Sequence, residues 1–309
     1  MTDAQIAAIG AYTPRLRIVA EEFEDAWGSF NAAGVKQKAV PEADEDALTM
    51  GVEAAERALD VAGYSGADVC HLAFATTSPP MAEEDLTARL VNVLGVPDSV
   101  TTRTMTGSTR VGAQALNGAL DAGPWGEKIG LVIISDCPKG APDSDVEHAA
   151  GAGSAALVVD GDGPGKVLDR TSHVDTYPGT RFRTGGDDKT TGLGVTQYDR
   201  EAFTTTLGGA VDTLDDSLED VDAAAVQSPD GKLPYRATAA LGIDAETIAA
   251  AETVSSLGDT GAASVFIGAA TAFMEDTKRL LLAAYGSGAG ANAILLEGPV
   301  PVESALDGE

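Results

Sequence analysis

The sequence predicts an α/β fold built from two similar halves, each an apolar sheet covered by helices on both faces. Three observations predict it. Short apolar runs of buried-strand composition alternate with stretches of helical spacing along the whole chain. The second half repeats the order of the first: DV followed by a strand and a proline turn recurs from Asp68 and from Asp220. A helix begins near Thr109 and again near Asp259, and GAGSAALVV from Gly151 matches GAGANAILL from Gly288. The 309 residues, 44% of them hydrophobic, are enough for two such units with a substantial core. The expected division is residues 1–165 and 166–309, with equivalent helix starts meeting near a pseudo-twofold axis.

The elements follow in order. Residues 5–9 read as a short strand before the turn GAYTPR. DEDALTMGVEAAERALDVAG is a helix with Asp44 or Glu45 near its start and Gly63 as its stop. DVCHLAFATT is a buried strand ending in SPP, and EEDLTARLVNVLG is a second helix closed by Gly95 and Pro97. A Gly-Ser-Thr turn then opens an amphipathic helix over about Thr109–Ala122, followed by the strands IGLVIISD and GSAALVVDGDG. In the second half, YDREAFTTTLGGAVDTLDDSL is a helix, DVDAAAVQSPDGK a strand and turn, and LPYRATAALG a helix with Pro234 early and Gly242 after its end. DTGAASVFIGAATAFMED is a helix, RLLLAAYG a strand, and GANAILLEG the last strand. Residues 173–200, rich in Gly, Thr and Asp and without clear period, read as an insertion or lid; a solvated loop is the alternative.

Composition excludes several function classes. The net charge of −28, from 48 acidic and 20 basic residues, repels nucleic acid and anionic membranes. It suits concentrated salt, where such charges are screened, and matches the composition of a halophile. No apolar run reaches membrane-spanning length, and the start lacks the features of a signal peptide. Two cysteines, Cys70 and Cys137, in or beside apolar strands, fit a reducing cytoplasm and read as buried, inert thiols. Three scattered histidines make no metal-binding spacing, so no metal is expected.

The helix start at Gly107–Thr109 is the natural centre for chemistry. It presents unpaired N–H groups and the positive end of the helix dipole, which can hold a low-pKa thiolate or an oxyanion. Thr109 occupies the nucleophile's place, and a threonine hydroxyl needs a base beside it. Ser108 and Thr109 also read as simple N-caps, and Asp259 as a cap for its own helix. His148, in EHAAGAG, is a candidate base or a packing residue.

Taken together, IGAYTPRLRI, KAVPEADEDALTMGVEAAERAL, LAFATTSPP, EHAAGAGSAALVV, SPDGKLPYRATAALG, LGDTGAASVFIGAA and YGSGAGANAILL make the chain resemble the thiolase superfamily. Within it, the resemblance is to archaeal-type 3-hydroxy-3-methylglutaryl-CoA synthases and ketoacyl-ACP synthase III, over nearly the whole chain. It implies the duplicated five-layered αβαβα fold. It also implies a catalytic cysteine, histidine, asparagine and glutamate, and here the positions depart one after another. Thr109 stands where the cysteine would be, Gln227 opens the histidine's turn (Gln227-Ser228-Pro229-Asp230-Gly231-Lys232), and Asp259 replaces the asparagine in Gly258-Asp259-Thr260. The glutamate's place falls in Ala75-Thr76-Thr77-Ser78, with Glu83 and Glu84 beyond the turn.

Two readings follow. In the first, the chain is a catalytically degenerate paralogue, a scaffold or channelling subunit for an active thiolase or synthase. In the second, it is an acyltransferase or CoA-ester hydrolase with Ser108 or Thr109 as nucleophile and His148 or Asp259 as base. The resemblance implies a cytoplasmic homodimer in isoprenoid or lipid metabolism, with a thiolase and a small zinc-ribbon/OB-fold protein as partners. No cofactor is required, and a coenzyme A ester is the expected ligand. Arg110, Arg181, Arg183 and Lys232 are candidate phosphate contacts; Arg110 is alternatively a partner for Asp259 or a surface cation.

Overall fold

The computed structural model describes residues 4–307. The first part of the chain forms β1 (Gln5–Tyr12), β2 (Leu16–Val19), α1 (Ala20–Trp27), β3 (Gln37–Val40), α2 (Ala47–Ala62), β4 (Val69–Ala75), α3 (Thr87–Val93), β5 (Thr101–Met105), α4 (Val111–Ala122), β6 (Ile129–Asp136), α5 (Asp145–Ala149) and β7 (Gly153–Asp160). The second part forms β8 (Lys166–Tyr177), α6 (Thr196–Val211), β9 (Ala223–Val226), α7 (Leu233–Arg236), α8 (Thr238–Leu241), α9 (Ala245–Ala249) and α10 (Val254–Leu257). A 3-10 turn (Gly261–Ala263) then leads into α11 (Ser264–Met274), β10 (Arg279–Gly286), β11 (Gly288–Glu297) and β12 (Val302–Ala305).

The duplication read from the repeats is visible in the sheets. One has the order β12-β1-β7-β6-β4-β5 and the other β8-β11-β10-β9. The central four strands correspond one to one. β1 and β8 each run antiparallel to the next strand (β7, β11), which runs antiparallel to β6 or β10, which runs parallel to β4 or β9. The layers follow from which faces are apolar. α4 and α11 lie between the two sheets in one core with the sheets' inner faces, including Val132, Leu157, Phe266 and Ile294. α2 and α3 cover the outer face of the larger sheet, and α6 and α8 the outer face of the smaller one. Helices outside, sheets, and helices between give the five-layered αβαβα arrangement.

The central contact is tight because small residues allow it. A Cβ on Gly112 of α4 would lie 2.6 Å from Phe266 and 3.0 Å from the carbonyl of Ala262. A Cβ on Gly151 would lie 1.9 Å from the carbonyl of Leu257, so only glycine lets the end of α5 approach the end of α10.

Several boundaries differ from the expectation. α2 is capped by Asp46, whose side chain accepts from Leu48 and Thr49, rather than by Asp44 or Glu45; Gly63 closes it as expected. The stretch read as a lid from His173 begins later, because His173–Tyr177 completes the edge strand β8 and α6 starts at Thr196. LPYRATAALG splits into α7 and α8 at Ala237. β11 is not the last strand: β12 returns to pair parallel with β1, which ties the chain's end into the first sheet. The paired strands β2 and β3, the edge strands β5 and β8, and the helices α1, α9 and α10 were not anticipated.

Candidate active site between the halves

The site is built where α4 and the 3-10 turn before α11 start side by side. Thr109 is buried, and its hydroxyl donates to the backbone carbonyl of Tyr285 at the end of β10, 2.6 Å away. It is therefore not an N-cap. The position before α4 is Arg110, with no side-chain cap, and Ser108 lies against Gly286, where an added Cβ would meet its Oγ at 2.3 Å. The Thr109 hydrogen is thus committed to an acceptor that cannot take up a proton.

Gln227 directly follows β9, is buried, and donates from Nε2 to the carbonyl of Gly261 at 2.8 Å. Its Oε1 has no hydrogen-bond partner among the described residues. A primary amide can donate here but cannot hold a proton at neutral pH. Asp259 is buried beside the same turn. Its backbone exchanges hydrogen bonds with the end of α5 (Asp259 N to Ala149 O, 2.7 Å; Gly151 N to Asp259 O, 2.9 Å), and Oδ1 accepts from Gly261 N at 2.9 Å. The cap position of the 3-10 turn is Thr260 and that of α11 is Ala263, so Asp259 holds the first amide of the turn without being the cap read from the sequence. Oδ2 pairs with the guanidinium of Arg181. Burial alone would lower the pKa of Arg181; Asp259, by charge and hydrogen bond, and the charge of Asp136 together raise it above its ordinary value. The partner of Asp259 is therefore Arg181 and not Arg110.

Asp136 was missed in the sequence. It closes β6, is fully buried, and accepts from six donors. Five come from the turn after β4: Thr76 Oγ1 (2.9 Å), Thr77 N (2.6 Å) and Oγ1 (2.9 Å), and Ser78 N (2.9 Å) and Oγ (2.8 Å). The sixth, Ala262 N at 2.6 Å, comes from the other half. Gly261, at φ +58°, passes so close that a Cβ would lie 2.3 Å from Asp136 Oδ2. The hydroxyls of the turn expected to lack the general-base glutamate thus serve a carboxylate on the neighbouring strand. Glu83 and Glu84 are exposed beyond it, and Glu84 pairs with Arg89. A signal existed: an acidic residue ending a continuous apolar strand is rarely buried without partners, and a Thr-Thr-Ser run offers them.

The remaining candidates separate. His148 is buried away from Thr109's hydrogen bond: its Nδ1 accepts from Asn31 N at 2.9 Å, Nε2 faces Asp143 at 3.3 Å, and the ring stacks on Phe30 with Phe23 at its edge. Arg183 donates to the carbonyl of Thr77 at 2.7 Å. Arg110 is half-buried over Gly290, and burial lowers its pKa. Lys232 is exposed in the turn after Gln227. Among the described residues neither Arg110 nor Lys232 has a carboxylate within ion-pair distance. Cys70 lies in β4 and Cys137 just past β6, both half-buried rather than buried as expected. Burial raises both thiol pKa values, and Asp136 adds to the effect at Cys137, which opposes thiolate formation. No helix among the described residues is long and apolar enough to cross a membrane.

No family model matches the chain. Curated relatives match over nearly its full length. The hydroxymethylglutaryl-CoA synthase of Pyrobaculum aerophilum is 30% identical over 96% of this chain and 87% of its own. That of Pyrococcus horikoshii is 31% identical over 94% and 85%. Among solved structures, 3-oxoacyl-(acyl carrier protein) synthase III from Pseudomonas aeruginosa superposes with a TM-score of 0.86 at 15% identity, over 97% of this chain and 100% of its own. A hydroxymethylglutaryl-CoA synthase solved with CoA superposes with a TM-score of 0.83 at 18% identity, over 96% and 82%. The structural likenesses show the thiolase-like fold, and the sequence identities establish that the chain belongs to the hydroxymethylglutaryl-CoA synthase family.

Proposed function

We propose that this chain is a catalytically degenerate member of its family that serves an active thiolase or synthase as an acyl-CoA-related scaffold or channelling subunit. The observation that carries the reading is the Thr109 hydroxyl, bound to the Tyr285 carbonyl, in a site where Gln227 and Asp259 take the places expected of an imidazole and an amide. A condensation through an acyl-enzyme needs a nucleophile, a proton acceptor and neutral donors for the oxyanion, and these fail together when several are replaced. Asp259 would oppose an oxyanion where an amide would stabilise it.

The ligand of such a subunit is a coenzyme A ester, the kind of molecule found with its structural relatives. Arg110 and Lys232 are the candidate cations left for its phosphates, because Arg181 and Arg183 are engaged within the fold. A homodimer is part of the proposal: β5 is an edge strand with one side unpaired, as strand pairing with a second copy requires. A thiolase and a zinc-ribbon/OB-fold protein complete the proposed assembly, in the cytoplasm.

The test is to purify the chain alone and with a co-expressed thiolase, and to measure CoA release from acetyl-CoA and acetoacetyl-CoA. Stable co-purification with no release above the thiolase's own is the expected result. CoA release by the chain alone would end the proposal.

A further inference from the structure

The segment between β8 and α6 is fastened at both of its sides. It folds on itself, with Phe182 and Thr191 exchanging backbone hydrogen bonds at 2.8 and 2.9 Å, and Leu193 N donating to Gly179 O at 2.9 Å. From one arm, Arg181 reaches Asp259 in the second half and Arg183 reaches the Thr77 carbonyl in the first, on the turn that holds Asp136. From the other arm, Thr190 N donates to Lys139 O at 2.7 Å, just past β6. The segment therefore bridges the two halves at the residues that make up the site.

These ties are unequal. The Arg183 contact is an exposed donor on a carbonyl and competes with water. The Arg181–Asp259 pair is largely buried: Asp259 is 3% exposed, and its alternative to Arg181 is an uncompensated carboxylate inside the protein. We infer that residues 178–195 form a strap across the cleft between the halves, and that Arg181–Asp259 is the side-chain latch that, with the Thr190–Lys139 backbone bond, holds it shut. The substitution that places an acid at 259 and the arginine that neutralises it are one device. Arg181 answers a charge that a neutral side chain at 259 would not create, and the strap closes as a consequence. The latch rests on the geometry of the pair and its neighbours and holds whether or not the site performs chemistry.

Hydrogen-exchange mass spectrometry on the full chain tests this. In Asp259→Asn and Arg181→Gln, amides of residues 180–193 are expected to exchange at least about tenfold faster than in the unmodified protein, while those of α2 and β6 stay unchanged. Arg183→Gln is expected to change the same amides by less than about threefold. Where a single variant leaves one buried charge alone and unfolds the chain, the double variant R181Q/D259N removes both charges and carries the test, with the same acceleration expected. Strap exchange within about twofold of the unmodified protein in the folded variants, or equal opening by R183Q, would overturn the inference.

Discussion

Asp136 and Asp259 flank the same 3-10 turn, one supplied by each half, and the protein neutralises them in opposite ways. Asp136 is held by six hydrogen bonds from the turn after β4 and from Ala262 in the 3-10 turn. Asp259 depends for its charge on one arginine carried by the segment between β8 and α6. The first is a fixed joint between the halves, and the second is a contact that can come apart. Two buried carboxylates beside one turn are therefore not equivalent: satisfaction by backbone and short hydroxyls makes a structural part, and satisfaction by a long side chain from a loop makes a movable one.

The largest expected effect lies at Asp136. Asp136→Ala strands several buried donors, and we expect a loss of at least about 3 kcal/mol in chemical denaturation. A loss below about 1 kcal/mol would place Asp136 with the movable class. Next in size is Gly112→Ala, which forces a methyl into the contact between α4 and Phe266 and should cost about 1–3 kcal/mol. Ser78→Ala removes one of the six donors and should cost about 1–2 kcal/mol, far less than loss of the carboxylate.

The whole-chain charge of −28 predicts a further effect that bears on neither carboxylate specifically. The melting temperature should rise steeply from low salt to about 1 M, as screening shortens from about 30 Å toward about 3 Å, and a flat melt would contradict self-repulsion as a major term. The smallest expected effect comes from His71, buried in β4 and stacked on Trp125. Burial, and then Arg103, hold its pKa below the ordinary 6.5. The unfolded chain therefore takes up this proton first, so the contribution is complete above pH 6.5 and is lost as pH falls through the lower folded value. His71→Gln should flatten the acid side of the stability–pH curve, by up to about 1.4 kcal/mol per pH unit where His71 titrates.

Much of the frame was legible because its elements announce their ends. α2 carries Gly63 at its end, and β6, β7, β10 and β11 are continuous apolar runs that only buried strands need. β5 was not legible: TTRTM lies at a sheet edge with mostly exposed side chains, so it has no apolar run to betray it. β8 was missed for a related reason, since its residues are half-buried or exposed along an edge. At the site, the positions of Thr109, Gln227 and Asp259 could be placed from neighbouring motifs. The Tyr285 carbonyl, the cage around Asp136 and the reach of Arg181 could not, because each joins residues far apart in sequence through contacts that leave no local pattern.

Whether the hydroxyls at the start of α4 can be acylated decides between a degenerate site and a reactive one. Intact-mass measurement after incubation with acetyl-CoA should give the unmodified mass for the native chain and for Thr109→Ala alike. An acetyl group on Ser108 or Thr109 that disappears when that residue is replaced by alanine would contradict it.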